Sequence, residues 1–474
     1  IIKISRTLGI PLIATNDAHS LKTDDAFAQD VLMMINTQTT INDSKRLSLI
    51  NIPDFYIKSP EEMSQQFADY PDALENTQKI ADKCQLEIEL GKWYFPKFKL
   101  PPKKTAEETL HDLVYQQAKN HYGKLTPEIK ERLDYELDVI NPKGYATYFL
   151  IMYDFIRWTE KHNTPTNTRG SAGGCLVAFV LGITSVDPLI YQLPFERFLN
   201  KDRPSPPDID LDVADDKRQS MLYHIIDQYG QDAVAQICTF GRMMAKGAVR
   251  DTARVLGYEY AVGDRISKII PLGSQGFPMS INKALDTTPE LKQMYDTDVD
   301  AKKIIDTAKQ IEGCARHISV HACAIVISPT VITDFSPIQT ETGGDKPITQ
   351  YEMHACEDVG LIKYDILGIR NLSFLGQSVL NVKKSRNLDI DIRKIPLDDQ
   401  KTFDMLSRGS TMGVFQLAGE GMTKWIKELK PNRVEDLMAM VALYRPGPMA
   451  IIPEYIARKN DPSKISYFDP KMEK

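Results

Sequence analysis

The sequence lacks the features of a membrane or secreted protein. Its most apolar stretch, residues 145–158, is shorter than the roughly 20 residues that cross a bilayer and contains Asp154 and Arg157, so it predicts a buried helix. The six cysteines show no spacing typical of a disulfide framework, which favours a reducing cytoplasm. Internal repeats and low-complexity tracts are also missing. These absences argue against a membrane partner, a disulfide-stabilised secreted domain and a repeat array.

The chain has little net charge for its size. Its 474 residues carry a formal net charge of −6 and are 42% hydrophobic, which suits a globular protein of about three domains at roughly 150 residues each. Mild acidity does not exclude nucleic acid as a partner, because local basic patches decide phosphate binding. Since the first residue is Ile1 and not methionine, we expect the chain to be a piece of a longer protein.

One segment alternates acidic and aliphatic residues. In residues 207–213, Asp208, Asp210 and Asp212 alternate with aliphatic side chains, so a strand places the three carboxylates on one face. Neighbouring carboxylates on one face repel each other, and a bound Mg²⁺ removes this repulsion. The alternative is a solvated face of an edge strand.

A second strand pattern carries charge of both signs. Residues 361–366 alternate in the same way, which places Lys363 and Asp365 on one face. A metal-bound triphosphate needs carboxylates for the cations and a fixed positive charge for the phosphates. The alternative is a surface Lys and Asp side by side.

A glycine-rich turn precedes an apolar helix pattern. Small residues at 170–174 let a phosphate approach the backbone, and the N–H groups at the start of the following helix favour an anion. Ser171 is then the N-cap or a direct phosphate ligand. Close helix packing is the alternative explanation for the small residues.

The order of elements indicates the fold class. Mixed segments near residues 170–213 and 324–366 flank a mostly helical region, and the chain from Asn371 onward is helical again. This order predicts a split α/β domain with a helical insertion and a helical C-terminal domain. A Pro- and Lys-rich stretch, residues 95–104, marks an earlier domain boundary.

The combination of turn and acidic strands resembles the palm of the polymerase β-like nucleotidyltransferases. It resembles more closely the C-family replicative DNA polymerases of bacteria, the family of the DNA polymerase III alpha subunit. The segments that carry this resemblance follow the order of the family: Arg169-Gly170-Ser171, Pro207-Asp208-Ile209-Asp210-Leu211-Asp212, Cys238-Thr239-Phe240-Gly241, Arg316-His317 with His321-Ala322, Lys363-Tyr364-Asp365-Ile366-Leu367-Gly368, Gly413-Val414-Phe415-Gln416-Leu417 and Leu443-Tyr444-Arg445-Pro446-Gly447-Pro448.

The resemblance implies a multidomain α/β fold. The expected domains are the C-terminal part of a phosphoesterase-like PHP domain with the following helices (1–95), the first part of the palm (96–238), a helical thumb inserted into the palm (239–318), the second part of the palm (319–368) and the start of helical fingers (369–474).

The resemblance also implies roles for individual residues. Asp208, Asp210 and Asp365 would bind two Mg²⁺ ions, whereas the role of Asp212 stays open. The residues expected at the nucleotide are Gly170, Ser171, Arg197, Arg203, Lys363 and Arg445. Asp17 and His19 resemble the last metal ligands of the PHP domain, whose earlier ligands would lie upstream, so we expect no PHP activity from this chain alone.

A basic pattern supports DNA binding independently. Arg242, Lys246, Arg250 and Arg254 recur every fourth residue, and on a helix they form a slanted basic ridge that can follow a phosphate backbone. An ordinary solvated helix face is the alternative.

A zinc site is a rival interpretation of another cluster. Cys314, His317, His321 and Cys323 contain zinc-binding side chains, but the one-residue gap between the last two disfavours a closed tetrahedral site.

The resemblance implies a DNA-directed DNA polymerase, a nucleotidyltransferase that extends a primer with deoxynucleoside triphosphates and releases pyrophosphate. Its expected partners are primer-template DNA and, in the full-length protein, a sliding clamp, a clamp loader and a proofreading exonuclease. The alternatives are a metal-dependent phosphoesterase or nuclease of the PHP type and a nucleic-acid binding scaffold that has lost catalysis.

Overall fold

The computed structural model describes residues 1–52, 54–202, 206–273 and 277–473. Its helices are α1 (Ile2–Leu8), α2 (Ala26–Thr37), α3 (Pro60–Gln66), α4 (Pro71–Lys83), α5 (Ala106–Tyr122), α6 (Pro127–Ile140), α7 (Ala146–Lys161), α8 (Leu176–Val180), α9 (Asp215–Tyr229), α10 (Ala245–Val255), α11 (Tyr260–Ile269), α12 (Ile281–Thr287), α13 (Pro289–Thr297), α14 (Val299–Ile311), α15 (Met353–Asp358), α16 (Arg370–Arg386), α17 (Gln400–Ser407), α18 (Glu420–Leu429), α19 (Val434–Leu443) and α20 (Ile452–Asn460). Its strands are β1 (Thr166–Arg169), β2 (Asp210–Ala214), β3 (Val234–Arg242), β4 (Ala315–Ile327), β5 (Ile338–Thr340), β6 (Pro347–Thr349) and β7 (Ile362–Ile369).

The chain divides into two compact units. Unit 1 comprises Ile1–Leu90 and Thr239–Ser319, and unit 2 comprises Gly91–Cys238 and Val320–Lys474. The fold is mixed α/β, as the order of elements predicted. No helix within the described ranges is long and apolar enough to cross a membrane.

The strands in the described residues form one mixed sheet in the order β1-β2-β7-β4-β3-β6-β5. β2 runs parallel to β7, whereas β1 pairs with β2 and β4 pairs with β7 in antiparallel fashion. The two strands that carry the acidic residues are therefore direct neighbours, although the paired residues Asp210 and Asp365 lie 155 positions apart in the sequence.

The central strands are buried on both faces. On β4, Ile325 and Ile327 join the core formed with α5–α9, whereas Ala324 and Val326 join a second cluster. Leu211 and Val213 of β2 and Ile362, Tyr364 and Ile366 of β7 join the first core as well. Because both faces are covered, a shift in register would expose apolar residues, and the pairing of the strands is therefore fixed. The positions of the acidic residues on β2 and β7 are fixed with it.

In unit 1, α2 packs against α10–α14 around a core of small and aliphatic residues. The buried Asp30 of α2 accepts hydrogen bonds from Arg46, at 2.7 Å, and from Ser48, at 2.5 Å. These bonds satisfy one oxygen of a carboxylate that is otherwise surrounded by apolar groups.

Ser59-Pro60-Glu61-Glu62 has the sequence of a helix start, and Ser59 caps α3 and exchanges hydrogen bonds with Glu62. The sequence from Thr105 to about Trp158 predicts three helices, the middle one starting at Thr126-Pro127, and α5–α7 lie there. The side chain of Thr126 accepts from Ile129 N–H at the start of α6.

Candidate active site

Asp210 and Asp365 lie side by side because β2 and β7 pair in register at these residues. The hydrophobic neighbours Ile209 and Ile366 are buried and hold the two strands against the core. The strand is shorter than the predicted 207–213, because β2 begins only at Asp210 and Asp208 lies just before it. A hydrogen bond of 3.2 Å from Ile209 N–H to the Tyr148 hydroxyl fixes this approach instead.

Three carboxylates converge at this point. One oxygen each of Asp208, Asp210 and Asp365 lies within 4.8 Å of the others. Burial, followed by the negative charges of Asp208 and Asp365, raises the pKa of Asp210. Hard oxygen ligands at this spacing suit a divalent cation such as Mg²⁺, which would remove the repulsion.

Lys363 lies between two of the carboxylates. Its Nζ donates to Asp208 Oδ1 at 3.1 Å and also to Asp365 Oδ2. Burial alone would lower the pKa of Lys363, but the hydrogen bond and charge of Asp365, together with Asp208, outweigh burial and raise it. The site therefore contains a fixed positive charge beside the acidic cluster.

Asp212 has a different environment. Its side chain is 1% exposed and accepts two hydrogen bonds from Arg169, at 2.7 Å from Nε and 2.8 Å from Nη2. Both oxygens are thus committed to a fork-shaped ion pair, which assigns Asp212 to holding β1 against β2. The sequence spacing alone did not separate Asp212 from the other acids.

The glycine-rich turn differs from the prediction. Gly170 has a positive φ of 88°, and Ser171 opens a 3₁₀ turn instead of capping α8. The first N–H groups of α8, from Leu176 and Val177, donate to the buried carboxylate of Glu136 at 2.9 and 2.8 Å. Glu136 therefore already satisfies the N–H groups at the start of α8, and a phosphate role of Gly170 and Ser171 in the turn itself stays a prediction.

Sequence comparison assigns the family. A family model described as "Bacterial DNA polymerase III alpha NTPase domain" matches residues 108–368, and one described as "Bacterial DNA polymerase III alpha subunit finger domain" matches residues 371–474. The chain belongs to the bacterial DNA polymerase III alpha subunit family. The acidic strands and the glycine-rich turn all lie within the first match.

Individual relatives agree with this assignment. "DNA polymerase III subunit alpha" of Escherichia coli (strain K12) is 40% identical over 489 residues, which cover 99% of this chain and 41% of the relative. The protein of the same name is 41% identical over 475 residues in Borreliella burgdorferi, covering 100% of this chain and 41% of the relative. The protein of this name in Thermus aquaticus is 37% identical over 536 residues, covering 100% of this chain and 44% of the relative. The chain thus spans about two fifths of the length of these relatives.

Two further predicted nucleotide ligands, Arg197 and Arg445, lie outside the hydrogen bonds of this acidic site in the described residues. Arg197 is exposed in a 3₁₀ turn, and Arg445 is exposed after α19. Neither is hydrogen-bonded to the three carboxylates in the described part of the chain. Arg203 lies outside the described residues. The role of Arg197, Arg203 and Arg445 at the nucleotide stays a prediction.

The predicted basic ridge is only partly helical. Arg242 is the last residue of β3, whereas Lys246, Arg250 and Arg254 lie on α10. The prediction of a helix was wrong at Arg242, because β3 ends there and α10 starts only at Ala245. Arg250 donates to Ser267 at 2.9 Å and lies 3.5 Å from Asp264, so part of its charge is already compensated.

Asp17 and His19 are in contact in unit 1. His19 Nε2 lies 3.1 Å from Asp17 Oδ1, and the imidazole packs edge-on against Phe55 at 5.2 Å. The apolar run Leu8–Ala14 predicts a strand before these two residues, but it is instead the end of α1 followed by a turn and a loop.

Cys323, which the sequence placed only in the rival zinc cluster, also contacts the acidic site. The Cys323 thiol donates to Asp365 Oδ1 at 3.4 Å, and burial, followed by the charge of Asp365, raises the pKa of Cys323 to about 11. Arg132 and Glu136 form a buried pair behind the glycine-rich turn. A strand-to-strand contact such as that of Cys323 has no local sequence signal.

Proposed function

We propose that the full-length protein containing this chain is a DNA-directed DNA polymerase, which adds deoxynucleotides to a primer 3'-hydroxyl and releases pyrophosphate. The convergence of Asp208, Asp210 and Asp365 beside Lys363 supports this proposal most strongly. Membership of the family supports it independently.

The three carboxylates would hold two Mg²⁺ ions. When bound, such ions favour the attacking alkoxide and stabilise the charge on the leaving pyrophosphate. Lys363 is positioned to exchange its carboxylate partners for phosphate oxygens of the incoming triphosphate. Gly170 and Ser171 would contact the same phosphates through backbone and hydroxyl groups, and Arg197, Arg203 and Arg445 would add positive charge.

The domain roles follow the same proposal. We assign residues 96–238 and 319–368 to a palm of the polymerase β-like type, 239–318 to the thumb, 369–474 to the start of the fingers and 1–95 to the end of a PHP domain. Primer-template DNA would contact Arg242, Lys246, Arg250 and Arg254. In the complete protein we propose a sliding clamp, a clamp loader and a proofreading exonuclease as partners, in the cytoplasm.

Primer extension by the full-length protein tests the proposal. Asp208→Asn, Asp210→Asn and Asp365→Asn should each lower the extension rate by at least about 100-fold, since each removes a group that stabilises transition-state charge. Asp227→Asn, which changes an exposed aspartate of α9, is the matched control and should retain the rate.

The products distinguish the alternatives. Longer primers that depend on deoxynucleotides and Mg²⁺ support a polymerase, whereas shortened primers alone indicate a phosphoesterase or nuclease carried by the PHP domain. Equal extension by the wild type and all three active-site variants contradicts the proposal.

A further inference from the structure

A second group of metal-binding side chains lies next to the acidic cluster. One donor atom each of His321, Cys323 and Asp365 lies within 4.8 Å of the other two. The members come from two adjacent strands, β4 and β7, and Asp365 belongs to both groups. His321 and Cys323 are half-buried, so solvent reaches the cluster.

The distances match those of a tetrahedral site for a soft cation. Cys323 Sγ lies 3.5 Å from His321 Nδ1 and 3.4 Å from Asp365 Oδ1. With Zn–S, Zn–N and Zn–O bonds of about 2.3, 2.1 and 2.0 Å, tetrahedral angles separate sulfur from nitrogen by about 3.6 Å and from oxygen by about 3.5 Å. Both distances to the sulfur therefore fit one tetrahedral ion, and the donor atoms of His321 and Asp365 lie within 4.8 Å of each other.

The chemistry of the donors selects the ion. Thiolate and imidazole favour Zn²⁺ or Cd²⁺ over Mg²⁺, which prefers oxygen ligands only. The N–H group of Ala324 donates to His321 Nδ1 at 3.0 Å, so this nitrogen carries a lone pair and the ring proton lies on Nε2. A cation would replace this N–H group as the partner of Nδ1, and the thiol proton of Cys323 would pass to solvent.

We propose that His321, Cys323 and Asp365 form an inhibitory site for a soft divalent cation of the Zn²⁺ class. A cation bound there takes Asp365 Oδ1, and this carboxylate then no longer serves the Mg²⁺ ions of the polymerase site. Inhibition should therefore weaken as the Mg²⁺ concentration rises. Only this inhibitory consequence rests on the proposed polymerase function; cation binding does not.

This site differs from the zinc cluster considered from the sequence. That interpretation joined four side chains including Cys314 and His317, which belong to unit 1, whereas His321 and Cys323 belong to unit 2. The third ligand, Asp365, lies 42 positions after Cys323 and is brought there only by strand pairing.

Cadmium binding tests the site without polymerase activity. The full-length protein is titrated with CdCl₂ in a buffer that contains a phosphine reductant, which keeps the cysteines reduced. The ultraviolet charge-transfer band of the cadmium–thiolate bond is recorded. Cys323→Ser should lose one equivalent of this band, and the matched Cys314→Ser control should retain it. The serine variant keeps a hydroxyl that can donate to Asp365, which limits any effect on folding; His321→Gln is a second variant that should weaken cadmium binding. Identical bands in the wild type and Cys323→Ser would overturn the proposal.

Zinc inhibition of primer extension tests the consequence. We expect Cys323→Ser to raise the half-inhibitory Zn²⁺ concentration by about 10-fold or more, relative to its own rate without zinc, because a ligand is lost. Cys314→Ser should not shift it. Equal inhibition of both variants, or inhibition that Mg²⁺ does not relieve, contradicts the competition. Failure of every variant to extend primers contradicts the polymerase proposal instead, and the cadmium titration then decides this inference.

Discussion

Asp210 and Asp212 lie two positions apart on β2 and have different surroundings. Asp210 has two other carboxylates as neighbours, and its pKa is raised by burial and by their charge. Asp212 is almost fully buried and is bound by Arg169 through both oxygens. The two aspartates therefore have different roles. Asp210 adds negative charge to the acidic cluster, whereas the charge of Asp212 is neutralised in a structural ion pair.

Removal of Arg169 should loosen the first two strands. Arg169→Met leaves the Asp212 carboxylate buried without its hydrogen-bond donors, which costs about 1 to 3 kcal/mol. Hydrogen exchange of the β1 and β2 amides in the full-length protein should therefore become roughly 5- to 150-fold faster.

Arg157→Met is the control for this effect. Arg157 forms an exposed ion pair of 2.6 Å with Glu160 on α7, and solvent screens such a pair. Its loss should leave exchange in β1 and β2 unchanged. If Arg169→Met also leaves it unchanged, the ion pair with Asp212 does not hold the strands together.

Residue types were predictable at this scale, but their partners were not. The alternation of residues 207–213 correctly indicated that Ile209, Leu211 and Val213 enter the core. It could not show that Arg169 neutralises Asp212 or that Cys323 reaches Asp365, because both contacts join residues more than 40 positions apart.

At the scale of elements, a buried ion pair supports the glycine-rich turn. Arg132 Nε donates to Glu136 Oε1 at 2.7 Å, and Nη2 donates to the carbonyl oxygens of Gly174 and Leu193 at 2.7 and 3.0 Å. Glu136 in turn accepts from the first N–H groups of α8. Helix α6 thereby binds the end of the turn at Gly174, the start of α8 and the backbone at Leu193.

Glu136→Gln should disturb this support. The amide group of glutamine presents N–H donors where the helix N–H groups need an acceptor, so exchange in α8 and the turn should accelerate. The KM for deoxynucleotides should rise by several-fold, with a smaller change in kcat, since the turn is proposed to bind the triphosphate.

Glu131→Gln provides the comparison on the same helix. Glu131 is exposed on α6, so neither exchange nor KM should change. A KM for Glu136→Gln equal to that of the control would show that the turn does not depend on the buried pair.

Helices with cap residues were predicted more accurately than strands. Ser59 and Thr126 correctly marked the starts of α3 and α6. Strand β3 was missed within a region expected to be mostly helical, and the run Leu8–Ala14 is the end of α1 and a loop despite its apolar pattern. A short apolar run fits both a strand and a loop, and only pairing with a distant strand distinguishes them.

At the scale of the whole molecule, two separate parts of the chain contribute neighbouring strands to the same sheet. Unit 2 takes residues from both sides of the segment Thr239–Ser319, and this brings β2 beside β7. The acidic site therefore exists only when two distant parts of the sequence fold together. The family resemblance predicted this convergence, whereas spacing alone predicted only two acidic strands.

The basic face of α10 gives a prediction for DNA binding. Replacing Lys246 and Arg254 with Gln should reduce the slope of log affinity against log salt for primer-template DNA by about 1.8, if each contacts one phosphate. Arg250 is left unchanged because it already contacts Ser267 and Asp264.

The matched control replaces Lys79 and Lys83 of α4 with Gln. This variant removes the same charge from another helix of unit 1, so an unchanged slope is expected. Equal slopes for both double variants would remove α10 from the DNA interface.

Manganese binding, measured by electron paramagnetic resonance, tests the central claim most directly. The full-length protein is titrated with Mn²⁺ in the presence of a 3'-deoxy-terminated primer-template and the matching deoxynucleotide, beside a variant with Asn at positions 208, 210 and 365. We predict that the wild type binds about two more Mn²⁺ ions than the variant, one for each cation of the proposed mechanism. Equal numbers of bound ions would contradict the assignment of Asp208, Asp210 and Asp365 as the metal ligands of a polymerase site.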